Sequence, residues 1–309
     1  MNSTSNILMI RPSQFACNDE TALNNSYQNS DASQSSTYIR DKAIIEFDNF
    51  VDLLMDSNIN VLVFDDCENT YTPDSLFPNN WITTHDNGLI CLYPMFAKNR
   101  RIERRDDIIN FLKSNFIVSD VVSKYVFFEE NNNFLEGTGS MVLDRFNKIA
   151  YAAISSRTNK KLFNSWCKDF NYTAVCFETT LNINGRIQPV YHTNVLMSVC
   201  TNMVFICLDV LTHDHQKEEL LTFFDQTNKE VIKISIEQKK CFVGNVIEIK
   251  NKNEETYIVM STRAFNALDV TQIQIINKYA KILHSPLDTI EHFGGGGARC
   301  MIAEVFLKN

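Results

Sequence analysis

The sequence predicts an α/β fold built from a repeated module, and three observations carry that prediction. Short apolar strands come in pairs, and each pair is followed by a helical stretch, several times along the 309 residues. No glycine fingerprint of a dinucleotide-binding sheet appears among them. No shift of composition marks a linker, so residues 1–309 read as one domain packed around a centre. A plain doubly wound sheet is the alternative arrangement of the same elements.

The elements follow in order. Residues 7–10 are apolar and stop at Arg11-Pro12, a first short strand. Residues 18–37 are rich in Asn, Ser, Asp and Gln and form a polar loop, readable as a mobile lid or as disorder. Over 41–56, Ile44, Ile45, Phe47, Phe50, Leu53 and Leu54 fall near one helical face, and 61–64 is a buried strand. Segments 81–84 and 89–92 flank His85-Asp-Asn-Gly88, a hairpin turn. A helix over 105–116 leads to a strand at 124–129, then strands near 140–143 and 149–154 precede a helix over 160–170. Strands at 174–178, 195–199 and 203–208, a helix over 216–226 and a strand at 231–235 repeat the pattern. The last round is a strand at 257–261, a helix over 264–279 and an apolar strand after Cys300.

Composition narrows the class of function. With 29 Lys plus Arg against 37 Asp plus Glu, the net charge of −8 disfavours nucleic acid and anionic membrane surfaces as partners. Nine cysteines without a CxxC pair exclude a zinc ribbon and a thioredoxin motif and fit a reducing, cytoplasmic setting. The opening apolar stretch is too short for a signal-peptide core, and no run reaches the length of a membrane span.

Glycine is scarce, yet four of the nine are consecutive, Gly294 to Gly297, just ahead of Cys300. Such a run lets backbone N–H groups approach a ligand, and a thiol beside it is placed for nucleophilic chemistry. A flexible turn before a buried cysteine is the competing reading. His192 precedes an apolar strand and Glu136 precedes a Gly-x-Gly turn; alone, the simpler readings are a hydrogen-bonded core histidine and a loop or capping carboxylate. Their spacing links them. Asn80, Glu136 and His192 stand 56 residues apart, and Cys300 lies 108 further on. Equivalent loops of a repeated module, all pointing inward, would bring the four together. His213 and His215 form a conceivable metal pair but precede a helix, where capping is the simpler role. Arg100-Arg-Ile-Glu-Arg-Arg105 reads as a solvated helix start, with a partner-facing surface as the other option.

At this point the sequence resembles a known family. FPNNW at 77–81, EGTGS at 136–140, SSRT at 155–158, YHTNV at 191–195 and the terminal GGGGARC are similar to the guanidine-modifying superfamily, the penteins, which includes arginine and agmatine deiminases, dimethylarginine hydrolases and amidinotransferases. With Arg11-Pro12, the likeness extends over nearly the whole chain. It implies a five-module α/β propeller with pseudo-fivefold symmetry, no metal or organic cofactor, a small amino-acid substrate and a homo-oligomeric state. It implies Cys300 as nucleophile, His192 as general acid/base, and Glu136 as the carboxylate pairing with that histidine and with substrate nitrogens. Arg157 matches an arginine holding the substrate α-carboxylate. Asp74 matches a polar residue at the amino-acid end, and Phe77, in the same loop, is a further substrate-lining candidate.

The departures from the family pattern are informative. Arginine deiminases carry Asp at the positions of Asn80 and Asn194, where paired carboxylates neutralise a guanidinium; amides cannot. A neutral ureido group needs a donor for its oxygen and an acceptor for its NH₂, and one Asn supplies both. The expected activity is therefore hydrolysis of citrulline to ornithine, carbon dioxide and ammonia. An arginine dihydrolase or deiminase is the alternative, and a non-catalytic amino-acid-binding member is a third reading. Retention of Cys300, His192 and Glu136 together opposes the third.

Overall fold

The computed structural model describes residues 2–22, 24–25, 27–29, 33–67, 70–183 and 185–309. Its strands form five three-stranded sheets and one two-stranded hairpin. Each three-stranded sheet repeats one connection. A short strand pairs antiparallel with a middle strand, and a third strand, reached through a helix, pairs parallel with the middle one.

In the first unit Ala303–Glu304, Asn6–Arg11 and Asn60–Asp65 pair in that order, so the two ends of the chain close one sheet. The second unit has Ile82–Thr84, Leu89–Leu92 and Asp120–Val122. The third has Val142–Asp144, Ile149–Ala153 and Thr173–Phe177. The fourth has Met197–Val199, Met203–Ile206 and Glu230–Lys233. The fifth has Ile247–Lys250, Thr256–Ser261 and Lys281–Ser285. A parallel pair cannot be joined by a tight turn, so a helix carries each crossover. These helices include Ser36–Asp56, Asp106–Asn115, Lys160–Asp169 and Asp214–Gln226.

First strands of neighbouring units pack against one another. Ile82–Thr84 packs beside Ala303–Glu304, and Met197–Val199 lies between Val142–Asp144 and Ile247–Lys250. Short helical turns stand directly ahead of them. Pro78–Asn80, Gly137–Ser140, Thr193–Val195 and Ala298–Met301 are buried throughout, and Gly137–Ser140 contacts both Pro78–Asn80 and Thr193–Val195.

The structure departs from the sequence reading in several places. Residues 124–129 are not a strand: Lys124–Asn131 is a 3₁₀ helix, and Asp120–Val122 takes the place beside Leu89–Leu92. The aromatic run that suggested a strand buries only Tyr125, leaving Phe127 70% exposed. The helix expected over 264–279 is two, Thr262–Asn266 and Val270–Asn277, divided by a capping box of Asp269 with Gln272. The first long helix begins at Ser36, capped by Ser35. The hairpin Leu181–Ile183 with Arg186–Gln188, the strands Ile247–Lys250 and Lys281–Ser285, and the helix Asp288–Gly294 were not anticipated. Of the polar stretch 18–37, Asn18, Thr21 and Asn25 are buried, and Asp19–Ala22 is a short helix; residues 23, 26 and 30–32 lie outside the described ones. No described helix is long and apolar enough to cross a membrane.

Candidate active site

One backbone turn recurs ahead of the first strands. Asn80 N–H donates to Phe77 O, Gly139 to Glu136, Asn245 to Phe242 and Cys300 to Gly297, at 3.4, 3.0, 2.8 and 3.0 Å. The repeat therefore sets Phe77, Glu136, Phe242 and Gly297 at one equivalent position, and Asn80, Gly139, Asn245 and Cys300 at the next. His192 and Asn194 belong to the fourth unit's version of the turn.

Glu136 is fully buried. Its Oε1 accepts from Phe96 N–H at 2.8 Å, and Oε2 lies 2.7 Å from His192 Nε2 and 3.5 Å from Arg157 Nη1. Burial alone would push this carboxyl up, but Arg157, the His192 hydrogen bond and Arg100 outweigh it and hold the group at about 2. Burial dominates the opposite way at His192, lowering it to about 4 despite Glu136. Above that pH the pair is carboxylate and neutral imidazole. Nε2 carries the proton toward Glu136, which leaves Nδ1 as the basic nitrogen. Gly139 permits this packing: a Cβ there would collide with the Asn80 amide and lie 2.8 Å from His192 Cε1.

Cys300 is 4% exposed. Its Sγ receives Asn245 Nδ2 at 3.2 Å and Asn194 Nδ2 at 3.4 Å. Burial pushes the thiol up, while Asn245, Arg299 and Asn194 oppose it. The glycine run is shaped by its neighbours. Gly295 ends the helix Asp288–Gly294 with φ of +66°, and its carbonyl accepts from the Tyr191 hydroxyl at 2.7 Å. The Phe77 ring lies against Gly294 and Gly296, leaving no room for side chains there.

Asn80 is held from outside the site. Its Oδ1 accepts from Arg100 Nη1 at 2.7 Å, and Nδ2 donates to Asn79 at 3.1 Å. Arg100 is buried, forks onto Glu103 at 2.8 and 2.9 Å, donates to Phe77 O at 3.2 Å and lies 3.8 Å from Asp74. The reading of 100–105 as a solvated face therefore fails at Arg100 and Glu103, whose charges are compensated inside the protein. Asp74 Oδ2 accepts from Asn18 at 2.8 Å and Thr21 at 3.1 Å, while Oδ1 has no hydrogen-bond partner among the described residues. Arg157 Nε donates to Asn24 at 2.9 Å, and Nη2 donates to Thr21 O at 3.1 Å and also to Asn24. Its guanidinium sits over the Tyr191 ring.

The predicted residues thus converge. Asn194 meets Cys300, His192 and Arg157 both meet Glu136, Asn80 and Asp74 are joined through Arg100, and Phe77 packs against the glycine run. Asn245 and Arg100 were missed. Asn245 had a signal, since GNV at 244–246 mirrors TNV at 193–195 ahead of a strand. His213 stands at a helix N-cap without a capping hydrogen bond and faces Glu178 at 3.3 Å. Among the described residues, no group of three or more His, Cys, Asp or Glu could hold a metal ion.

A family model described as N,N dimethylarginine dimethylhydrolase, eukaryotic, matches residues 11–307. The chain belongs to that family. Its members and structural neighbours are hydrolases acting on guanidino-group C–N bonds. No curated protein matches the chain at a significant level. Among solved structures, the substrate-bound N-terminal domain of ArgZ, an arginine dihydrolase from the ornithine-ammonia cycle in Cyanobacteria, is 15% identical, with a TM-score of 0.72 and 97% of each chain covered. Unliganded AgrE is 16% identical with a TM-score of 0.74, covering 97% of this chain and 39% of AgrE. A dimethylarginine dimethylaminohydrolase adduct with 4-chloro-2-hydroxymethylpyridine is 14% identical, with a TM-score of 0.64 and 98% and 100% covered. At such identities the likeness establishes a mixed α/β pentein fold and no more.

Proposed function

We propose that this member of the family hydrolyses the ureido group of free L-citrulline, giving L-ornithine, carbon dioxide and ammonia. The observation that carries the reading is the orientation of the Asn80 amide. Its oxygen is committed to Arg100, so only the N–H side can meet a substrate. A ureido carbonyl accepts that donor. A guanidinium offers donors alone and would bring a second cation toward Arg100. For the ureido NH₂, the Oδ1 atoms of Asn194 and Asn245 are buried acceptors without hydrogen-bond partners among the described residues.

In this mechanism Cys300 Sγ bonds to the ureido carbon, its proton passing to basic His192 Nδ1, while the Asn80 N–H meets the developing oxyanion. Collapse expels ammonia, protonated by His192, and leaves an S-carbamoyl adduct of ornithine. Water, deprotonated by His192, attacks the same carbon and frees the thiol. The resulting N-carboxy-ornithine loses carbon dioxide. Glu136 holds the imidazole tautomer throughout. Arg157 and Asp74 receive the α-carboxylate and α-amino ends, and Phe77 packs beside them. The polar segment from residue 18 closes the site as a lid. The five units are read as blades of a pseudo-fivefold propeller, supported by the contacts between their first strands. A cytoplasmic homo-oligomer completes the reading.

An arginine dihydrolase is the second reading, favoured by the fold-level likeness to ArgZ. Incubating the purified protein separately with citrulline, arginine and N,N-dimethylarginine, and assaying ornithine, citrulline, ammonia and dimethylamine, separates them. Ornithine from citrulline but not arginine supports the ureidase. Ornithine or citrulline from arginine, with free citrulline untouched, overturns it.

A further inference from the structure

The chemistry above leaves one requirement unmet. A cationic substrate helps to stabilise an attacking thiolate by its own charge; a neutral ureido group does not. The stabilisation must then come from the protein, and among the described residues the side chains hydrogen-bonded to Cys300 Sγ are two neutral amides, Asn245 and Asn194. His192 is engaged with Glu136 at 2.7 Å. The guanidinium of Arg299, next to Cys300 in sequence, is turned to Ile302 O and Glu304, both at 3.2 Å. Tyr191, the other titratable group close by, donates its hydroxyl to Gly295 O, and burial holds its phenol protonated.

We propose that Asn245 is a catalytic residue that stabilises the Cys300 thiolate directly through its Nδ2–H, as the fifth unit's contribution to the site. It makes the shorter of the two amide contacts to sulfur. The same nitrogen donates to Asn194 O at 2.8 Å, which fixes the amide's orientation and ties the fourth unit's turn to the nucleophile. The turn geometry supports the assignment, because Asn245 occupies the position that Asn80 and Cys300 occupy in their own units. Gly297 gives the amide room: a Cβ there would lie 2.9 Å from Asn245 Oδ1. The proposal rests on the ureido reading for its motive, but the state of the thiol can be measured without substrate.

The test is the pH dependence of Cys300 alkylation by iodoacetamide in substrate-free protein, followed by mass spectrometry of the Cys300 peptide because eight other cysteines are present. A hydrogen bond to a charged group is worth enough to move the midpoint by about one pH unit or more. Asn245→Leu is therefore expected to raise the midpoint by that amount and to lower kcat for citrulline, with KM rising as well because its Oδ1 is also an acceptor for the ureido NH₂. The near-isosteric Asn245→Asp, which places a carboxylate against the sulfur, should raise it further and serves if the leucine variant does not fold. The shift should persist in an Asn194→Leu background. An unchanged midpoint in folded Asn245 variants, or a shift that vanishes once Asn194 is gone, overturns the proposal. If wild type cleaves arginine instead of citrulline while the midpoint still shifts, the substrate reading fails and the role of Asn245 stands.

Discussion

Replacing Asn80 with Asp tests the neutral pocket at its narrowest point. The side chain is 3% exposed, and its Oδ1 lies 2.7 Å from Arg100 Nη1. An aspartate of the same shape keeps that contact as an ion pair, so the fold should survive. What changes is the other terminal atom: an N–H donor toward the ureido oxygen becomes a carboxylate oxygen. Loss of one oxyanion donor costs about 10²- to 10³-fold in kcat, or roughly 3–4 kcal/mol, and a carboxylate facing a developing negative charge places Asn80→Asp toward the larger loss. KM should change less, because the contact strengthens mainly as charge develops on oxygen. The same oxygen gives a guanidinium the partner it lacks, so slow arginine cleavage should appear. Asn80→Ala is the control, with the loss on citrulline but no gain on arginine. Steady-state ornithine release from each substrate reads both effects. A kcat for citrulline within about threefold of wild type in Asn80→Asp would refute the reasoning.

Three further outcomes follow from the site and its surroundings. Cys300→Ala should abolish ornithine release while circular dichroism and Tm stay close to wild type; persistent turnover would remove the nucleophile assignment. The pH profile of kcat/KM should rise from neutral toward alkaline pH with no break near 6.5, because burial lowers His192 to about 4 and holds the Cys300 thiol above its ordinary value; a plateau beginning near pH 6.5 would contradict both environments. Glu291 is buried in the helix leading to the glycine run, neither carboxylate oxygen has a hydrogen-bond partner among the described residues, and burial pushes its carboxyl up to about 8. A folded value raised above the unfolded one gives stability that is complete below about pH 4.5 and lost as pH rises through about 8. Glu291→Gln should flatten that loss, with Tm at pH 8.5 higher than wild type by on the order of a few degrees and little difference near pH 5.

What the sequence made legible is what its repeat carries. Cys300, His192 and Glu136 could be joined from spacing because each stands on the turn ahead of a first strand, where one backbone geometry recurs. Asn80 shares the 56-residue spacing although it stands three residues further along its turn than Glu136 does, and Asn194 was reached only through the family resemblance. Asn245 sits on the fifth turn and was passed over because an amide titrates nothing and stands out in no composition. Arg100 was misread because a run of arginines ordinarily solvates a helix start. Its burial depends on Glu103 one turn on, a carbonyl at Phe77 and the amide of Asn80, a set that only tertiary structure assembles. The stretch 124–129 failed differently: its aromatics have strand propensity, but the parallel position beside Leu89–Leu92 was already filled by Asp120–Val122.

The placement of charge explains how a recurring turn can serve one reaction. Two buried carboxylates of the site have cations of their own: Glu136 lies near Arg157, and Glu103 is forked by Arg100. Among the described residues, the side chains that donate to the sulfur are the amides of Asn194 and Asn245. Asp74 keeps one buried oxygen without a hydrogen-bond partner among the described residues, while Arg157 is held by neutral oxygens of Thr21 and Asn24. On the proposed reading the site is polar and neutral where a ureido group reacts and charged where a zwitterion must be held. Turning such a site toward arginine then takes an added carboxylate oxygen beside Cys300, which aspartate at Asn194 would provide, and aspartate at Asn80 through the oxygen turned away from Arg100.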